Sequence, residues 1–159
     1  MVVNNIPEKA FLGTILSENY LINETIIKKE QLEDDRHKEL YSLIKHLVNQ
    51  GKPVDRVTLA MHPKIETMGG LQYINELLSY ADPSKFEDYE GLVFESWRER
   101  EKQRILTQAK LENWNIEALM DELEKINLVK VNDHSTIQDL LVDLYEAPWN
   151  KKYEQRGAT

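Results

Sequence analysis

Residues 86–126 read FEDYEGLVFESWREREKQRILTQAKLENWNIEALMDELEKI, and this stretch decides the fold. From Phe86 to about Leu111 it is rich in Glu, Arg and Lys and has no Gly or Pro after Gly91, which is the composition of one long helix. Asn113 and Asn115 interrupt it. Asn115 is a good cap for a second helix, and from Ile116 the residues Leu119, Met120, Leu123 and Ile126 fall on one stripe. The product is a helical hairpin over 85–127. Two antiparallel helices cannot surround each other, so a hairpin bearing Val93, Trp97, Ile105, Leu106 and Ala109 opposite that stripe leaves apolar surface uncovered. Packing back on the rest of the chain and association with a second copy both satisfy that surface.

Upstream, residues 1–84 divide into short helical segments. Ala10, Phe11, Leu12, Ile15 and Leu16 are spaced for a helix that Pro7 is suited to begin, and a weaker segment lies around Ile22 to Ile27. A helix from Asp34 or Asp35 to Gln50 places Leu40, Ile44, Leu47 and Val48 on one face, with Gly51 as terminator. Asp55 can cap a short helix through Val57, Leu59 and Ala60, which Pro63 ends. After Gly69 and Gly70, the residues Leu71, Tyr73, Ile74, Leu77 and Leu78 predict another amphipathic helix, closed around Asp82 and Pro83. Downstream, Leu128 to Asn132 breaks the pattern. Ser135 and Gln138 then form a capping box ahead of Ile137, Leu140, Leu141 and Leu144. That helix, over about 136–147, is marginal in water by itself, so its stripe must dock to stay formed. The chain is therefore expected to be all-α, with a globular bundle over 1–84, a protruding hairpin over 85–127 and a linker over 128–159.

Composition excludes several functions. The 159 residues contain no cysteine, which removes disulfides, thiolate zinc sites and cysteine nucleophiles, and suits a cytoplasmic protein. No stretch approaches the ~18 apolar residues of a membrane span, and Met1 to Asn5 leads into a helix signal, not a signal peptide. A formal charge of −8 disfavours binding to a phosphate backbone. The densest basic run, Arg98, Arg100, Lys102 and Arg104, is interleaved with Glu95, Glu99 and Glu101 at spacings that make intrahelical pairs. Trp97 and Trp114 read as core or hairpin-junction aromatics, not as base-stacking platforms. Gly51-Lys52 lacks the earlier glycine and the following hydroxyl of a phosphate-binding loop. Adjacent Glu33, Asp34 and Asp35 point different ways around a helix and make a poor metal site with His37. Asp34 and Asp35 suit a helix N-terminus instead, and His37 a helix junction.

Several short motifs nevertheless occur in a specific order. Glu8 is followed by Leu12 and Gly13; His37 by Leu40 and Tyr41; Gly51, Pro53, Val54, Asp55, Val57, Thr58 and Leu59 form a compact run; Gly69 and Gly70 precede Tyr73, Ile74 and Leu77; Tyr89 precedes Val93 and Arg100. This order resembles the N-terminal domain of DnaB-type replicative DNA helicases, from Ile6 to about Ile126, and Asp121 and Glu124 also fit. The stretch Met61 to Met68 is shorter than the family's usual spacing, and Glu101 stands where a basic residue is common.

The resemblance implies that Gly13 lets a neighbouring helix approach closely. It implies that the chain is a non-catalytic collar, with no catalytic, cofactor-binding or metal residue of its own. The intact protein would be a hexameric helicase using ATP and magnesium in a motor beyond Thr159, and would meet single-stranded DNA only through that motor. The collar would be a trimer of dimers built by the hairpins and would recruit primase, with a helicase loader as a further partner. Ile116, Leu119, Met120 and Leu123 are expected to pack against Trp97, Ile105 and Leu106 of a mate. Tyr89, on a matched motif, and Leu119, Leu123 and Ile126, from uncovered aliphatic surface, are the expected partner contacts. Ile137, Leu140, Leu141 and Leu144 would dock the linker on a neighbour's motor. The rival reading is a stand-alone all-α interaction or regulatory protein, such as a loader or phage decoy with no motor.

Overall fold

The computed structural model describes residues 4–129. Among them there is no strand, and six α-helices are joined by loops and 3-10 turns: α1 (Ile6–Ser17), α2 (Asp35–Asn49), α3 (Arg56–Ala60), α4 (Gly70–Ser79), α5 (Phe86–Glu112) and α6 (Ile116–Val129). The chain forms two compact units, Met1–Trp97 and Arg98–Thr159, so the unit boundary falls inside α5 and not ahead of it at residue 85. The reason lies in the first turns of α5. Phe86, Val93 and Phe94 are buried in the first unit's core, and the Phe86 ring stacks on Phe11 at 5.5 Å.

The first unit is built around α1. Its residues from Glu8 to Leu16 are all buried, as expected of a helix enclosed on every side. Phe11, Leu12 and Ile15 meet Leu40 and Ile44 of α2, Leu59 of α3 and Ile74 and Leu77 of α4 in one core. Each large side chain so withdrawn from water contributes about 1.5–3 kcal/mol before chain entropy is counted. α4 lies so close to α1 that a Cβ on Gly13 would sit 1.9 Å from the Leu77 carbonyl oxygen. Glycine is required there because the obstacle is backbone and cannot swing aside.

The helix ends follow from local hydrogen bonding. Asn5 accepts from the Glu8 amide, Asp34 from the Arg36 amide, Asp55 from the Thr58 amide and Asn115 from the Ala118 amide. Gly51, at φ +74°, ends α2: its own amide donates to Val48 and that of Lys52 to Leu47, the Schellman pattern. α5 ends with Asn113 at φ 54° and the Trp114 amide donating to Ala109, so the hairpin turn is set by residues that tolerate the left-handed region.

Three differences from the sequence reading have physical causes. The segment expected around Ile22 to Ile27 is a 3-10 turn at Asn19–Asn23 followed by irregular chain. There Thr25 Oγ1 and the Ile26 amide both donate to Glu90 Oε2, at 2.6 and 3.1 Å, and Tyr41 Oη donates to the Ile27 carbonyl at 2.7 Å. These bonds replace the helical ladder. A 3-10 turn at Ile65–Met68, which the sequence did not signal, buries Met68 in the core. Helix α6 continues to Val129, past the expected break at Leu128. The linker proposed over 128–159, with Ile137, Leu140, Leu141 and Leu144, lies outside the described residues except for Leu128 and Val129.

Two glycines on helices should respond in opposite senses. Gly13→Ala should lower the urea midpoint, by a destabilisation of about 1–3 kcal/mol or more from overpacking against a rigid carbonyl. Gly91→Ala, with nothing within 4 Å of the added Cβ, should raise it by about 0.5–1 kcal/mol through helix propensity. A Gly13→Ala chain as stable as the parent would contradict the close approach of α1 and α4.

Candidate functional site

The strongest polar constellation of the first unit is buried. Glu8, in the first turn of α1, is enclosed with His37 from the first turn of α2. Glu8 Oε2 accepts the Glu33 amide at 2.6 Å and Asn5 Nδ2 at 3.2 Å; Oε1 accepts the Asp34 amide at 3.4 Å and lies 2.7 Å from His37 Nδ1. A carboxylate so surrounded only accepts, so Nδ1 carries the hydrogen and Nε2 faces Tyr73 Oη, 2.6 Å away on α4. Burial pushes the Tyr73 phenol up to about 12; Arg36 opposes the rise, and the charges of Asp34, Glu76 and Glu8 reinforce it. The phenol therefore keeps its proton, and its oxygen lies within hydrogen-bond distance of Nε2.

A second layer closes over this chain of bonds. The Arg36 guanidinium lies 3.9 Å from the centroid of the Tyr73 ring, a cation–π distance, and donates through Nε and Nη2 to Asp34 at 3.1 and 2.7 Å. Lys9, nearly buried on α1, pairs with Glu76 on α4 and donates to Asn4 Oδ1 at 2.7 Å. Burial by itself would raise the Asp34 carboxyl, but hydrogen bonds from the Arg36 side chain and amide, with the charges of His37 and Arg36, outweigh it and hold the carboxyl below its ordinary value.

A carboxylate, an imidazole and a hydroxyl in series is an arrangement that catalytic sites use for proton transfer. Here all three groups are buried and bonded to one another, and what they join is α1, α2 and α4. The chain of bonds is a clamp. The sequence motifs led by Glu8 and His37, and the one containing Tyr73, meet in it across separations of 29 and 36 residues. The sequence places each residue on a motif but carries no signal that they touch. Among the described residues no group of three or more His, Asp or Glu side chains is placed to hold a metal ion. Of the four weighed for that role, Asp34 is engaged by Arg36 and His37 by Glu8 and Tyr73.

The residues expected at interfaces fall into different settings. Tyr89 and Trp97 are half-buried against the core of the first unit, where Trp97 lies 5.6 Å from Phe94 in a tilted contact. In the second unit, Leu119 is 3 % exposed, Leu123 0 %, and Ile105 and Ile126 are likewise buried. This corrects their reading as uncovered surface: they are already buried in the isolated chain. Among the described residues of this unit, the accessible apolar side chains are Leu111, Ile116 at 55 % and Met120 at 36 % exposure, with Leu106 half-buried. A cleft between α5 and α6 near the turn is lined by Leu106, Ala109, Lys110, Trp114 and Leu119. Trp114 Nε1 donates to Glu112 at 3.0 Å, which fixes the ring at that junction. The basic run is tied into ion pairs one turn apart, Lys102 with Glu99 at 3.5 Å and Arg104 with Glu101 at 2.8 Å.

The described residues thus define an all-α class of fold with a buried polar clamp and accessible apolar side chains on its hairpin. Comparison with known proteins gives the class a family. The model of the DnaB-like helicase N-terminal domain matches residues 3–95. A solved structure of a DnaB-like replicative helicase, described with its interactions with primase, is similar with a TM-score of 0.65 and 28 % identity, over 92 % of this chain and 36 % of that one. No curated protein matches the sequence. The chain belongs to the DnaB-like helicase N-terminal domain family, and it spans about a third of the length of the helicase chain it matches.

The clamp makes two measurable demands on stability. Glu8→Ala or His37→Ala should each cost about 3–5 kcal/mol, because each strands a buried partner, and the double variant should cost clearly less than their sum. Additive losses in urea denaturation would mean that the pair is not coupled. Because the folded-state Asp34 carboxyl is depressed, its contribution is present above its unfolded value of about 4 and is lost as pH falls through the lower folded value. Asp34→Asn keeps the helix cap and should flatten that acid limb of the stability profile.

Proposed function

We propose that this domain is the non-catalytic collar of a hexameric replicative DNA helicase, where it assembles subunits and receives primase. Family membership supports the collar, and the observation that carries assembly is the accessible apolar surface of the hairpin unit, Leu111, Ile116 and Met120 beside the cleft at Leu106 and Trp114. Exposed aliphatic and aromatic side chains of this kind supply most of the energy at protein interfaces, whereas the surface Glu–Arg and Glu–Lys pairs of α5 add little. The primase contact is supported by the similar helicase, which is described with its interactions with primase. In the intact protein, ATP, magnesium and single-stranded DNA belong to a motor outside this sequence, a helicase loader is a further partner, and the working compartment is the cytoplasm. The linker over 128–159 joins collar to motor.

The buried positions Ile105, Leu119 and Leu123 are poor probes of assembly because charging them would unfold the hairpin. Ile116→Asp with Met120→Asp is the suitable variant. Light scattering at concentrations of order 100 micromolar, where binding corresponds to only ~5–6 kcal/mol, should show the parent chain associated and the variant monomeric with unchanged helix content. Pull-down of purified primase should weaken in Trp114→Ala. A monomeric parent, or a variant that associates as before, would refute the hairpin interface.

A further inference from the structure

The segment from Gly51 to Ile65 stands apart from the rest of the surface. In a protein of formal charge −8 it carries Lys52, Arg56 and Lys64 against a single carboxylate, Asp55. That carboxylate is occupied, since it accepts the Thr58 amide at 2.9 Å to cap α3. The three cations are exposed, and none makes an ion pair among the described residues. Between them Val57 is 72 % and Met61 81 % exposed. These two lie four residues apart, with the Met61 amide donating to the Val57 carbonyl, so they stand one above the other on one face.

Folding does not account for this face. Arg56 opens α3, where the helix dipole disfavours a cation, and the buried residues of the segment are Val54 and Leu59, not Val57 or Met61. Single exposed aliphatic residues are ordinary; two stacked on one face, in a segment that also carries three unpaired cations, offer a mixed apolar and basic surface with a defined complement. We infer that the Lys52–Lys64 face is a docking site for an acidic amphipathic helix of a partner protein, whose aliphatic stripe covers Val57 and Met61 while its carboxylates meet Lys52, Arg56 and Lys64. A phosphate backbone fits less well, because three cations in a protein of formal charge −8 make only a short counterion contact. A bilayer fits less well too, since Val57 on the five-residue α3 and Met61 just after it offer little to insert. The inference does not rest on the helicase reading or on the hairpin surface.

The test uses the full chain with methyl-labelled methionine and a synthetic helical peptide bearing leucines at i, i+3, i+4 and i+7 with glutamates beside them. Its counterpart has lysine in place of every glutamate. The glutamate peptide should bind about tenfold more tightly than the lysine peptide, a difference of ~1.4 kcal/mol, and should shift the Met61 methyl resonance while leaving buried Met68 unmoved. Raising salt should shrink the preference. Lys52→Glu/Arg56→Glu/Lys64→Glu should invert it, a result that loss of folding cannot imitate, and Val57→Ser/Met61→Ser should weaken both peptides. Equal binding of the two peptides, or shifts at Met120 in place of Met61, overturns the site. Stronger binding of a single-stranded oligonucleotide or of phosphatidylserine vesicles at the same residues overturns the proposed partner.

Discussion

A buried carboxylate must be satisfied by its surroundings, and the first unit is organised around satisfying Glu8. Its two oxygens draw in the amides of Glu33 and Asp34, the side chain of Asn5 and the imidazole of His37. Those partners fix the chain entering α2 and the first turn of α2 against α1. Through Tyr73 the same constraint reaches α4. Apolar burial supplies most of the stabilising energy of such a unit, but it is indifferent to small slips of one helix along another. Hydrogen bonds of fixed length between α1, α2 and α4 remove that freedom.

The close contact of α1 and α4 is the steric counterpart of the clamp. Without a side chain at position 13, α4 brings its Leu77 carbonyl onto α1, and Tyr73, one turn earlier, comes within reach of His37. Lys9 and Glu76 pair across the same two helices, and Arg36 covers the Tyr73 ring. Steric fit, ion pairing and hydrogen bonding thus agree on one arrangement, the mutual consistency expected of a uniquely folded core.

Among its described residues, the second unit shows no buried polar chain of this kind. Its turn is set by Asn113 in the left-handed region and Asn115 at the next helix start, and its own buried residues come from both helices. Among its described residues, Leu111, Ile116 and Met120 near the turn remain accessible. The basic segment around α3, with Val57 and Met61 exposed, belongs to the other unit and has a different chemistry.

The sequence by itself determined the all-α class, the approximate place of the six helices and the family. Helical periodicity, Asn and Asp caps and the glycine at position 51 act through bonds within a few residues, and the motif order is a property of the string. It also placed Glu8, His37, Tyr73 and Gly13 on their motifs. Only the tertiary structure decided that the first three form one buried chain of hydrogen bonds, because that depends on which faces meet after collapse. It alone decided that Leu119 and Leu123 are buried while Ile116 and Met120 stay accessible, since periodicity marks a stripe as apolar without saying what covers it. The loop at Ile22 to Ile27 escaped the sequence reading for the same reason: its conformation is set by Glu90 and Tyr41, residues distant in sequence whose bonds outcompete local helix propensity.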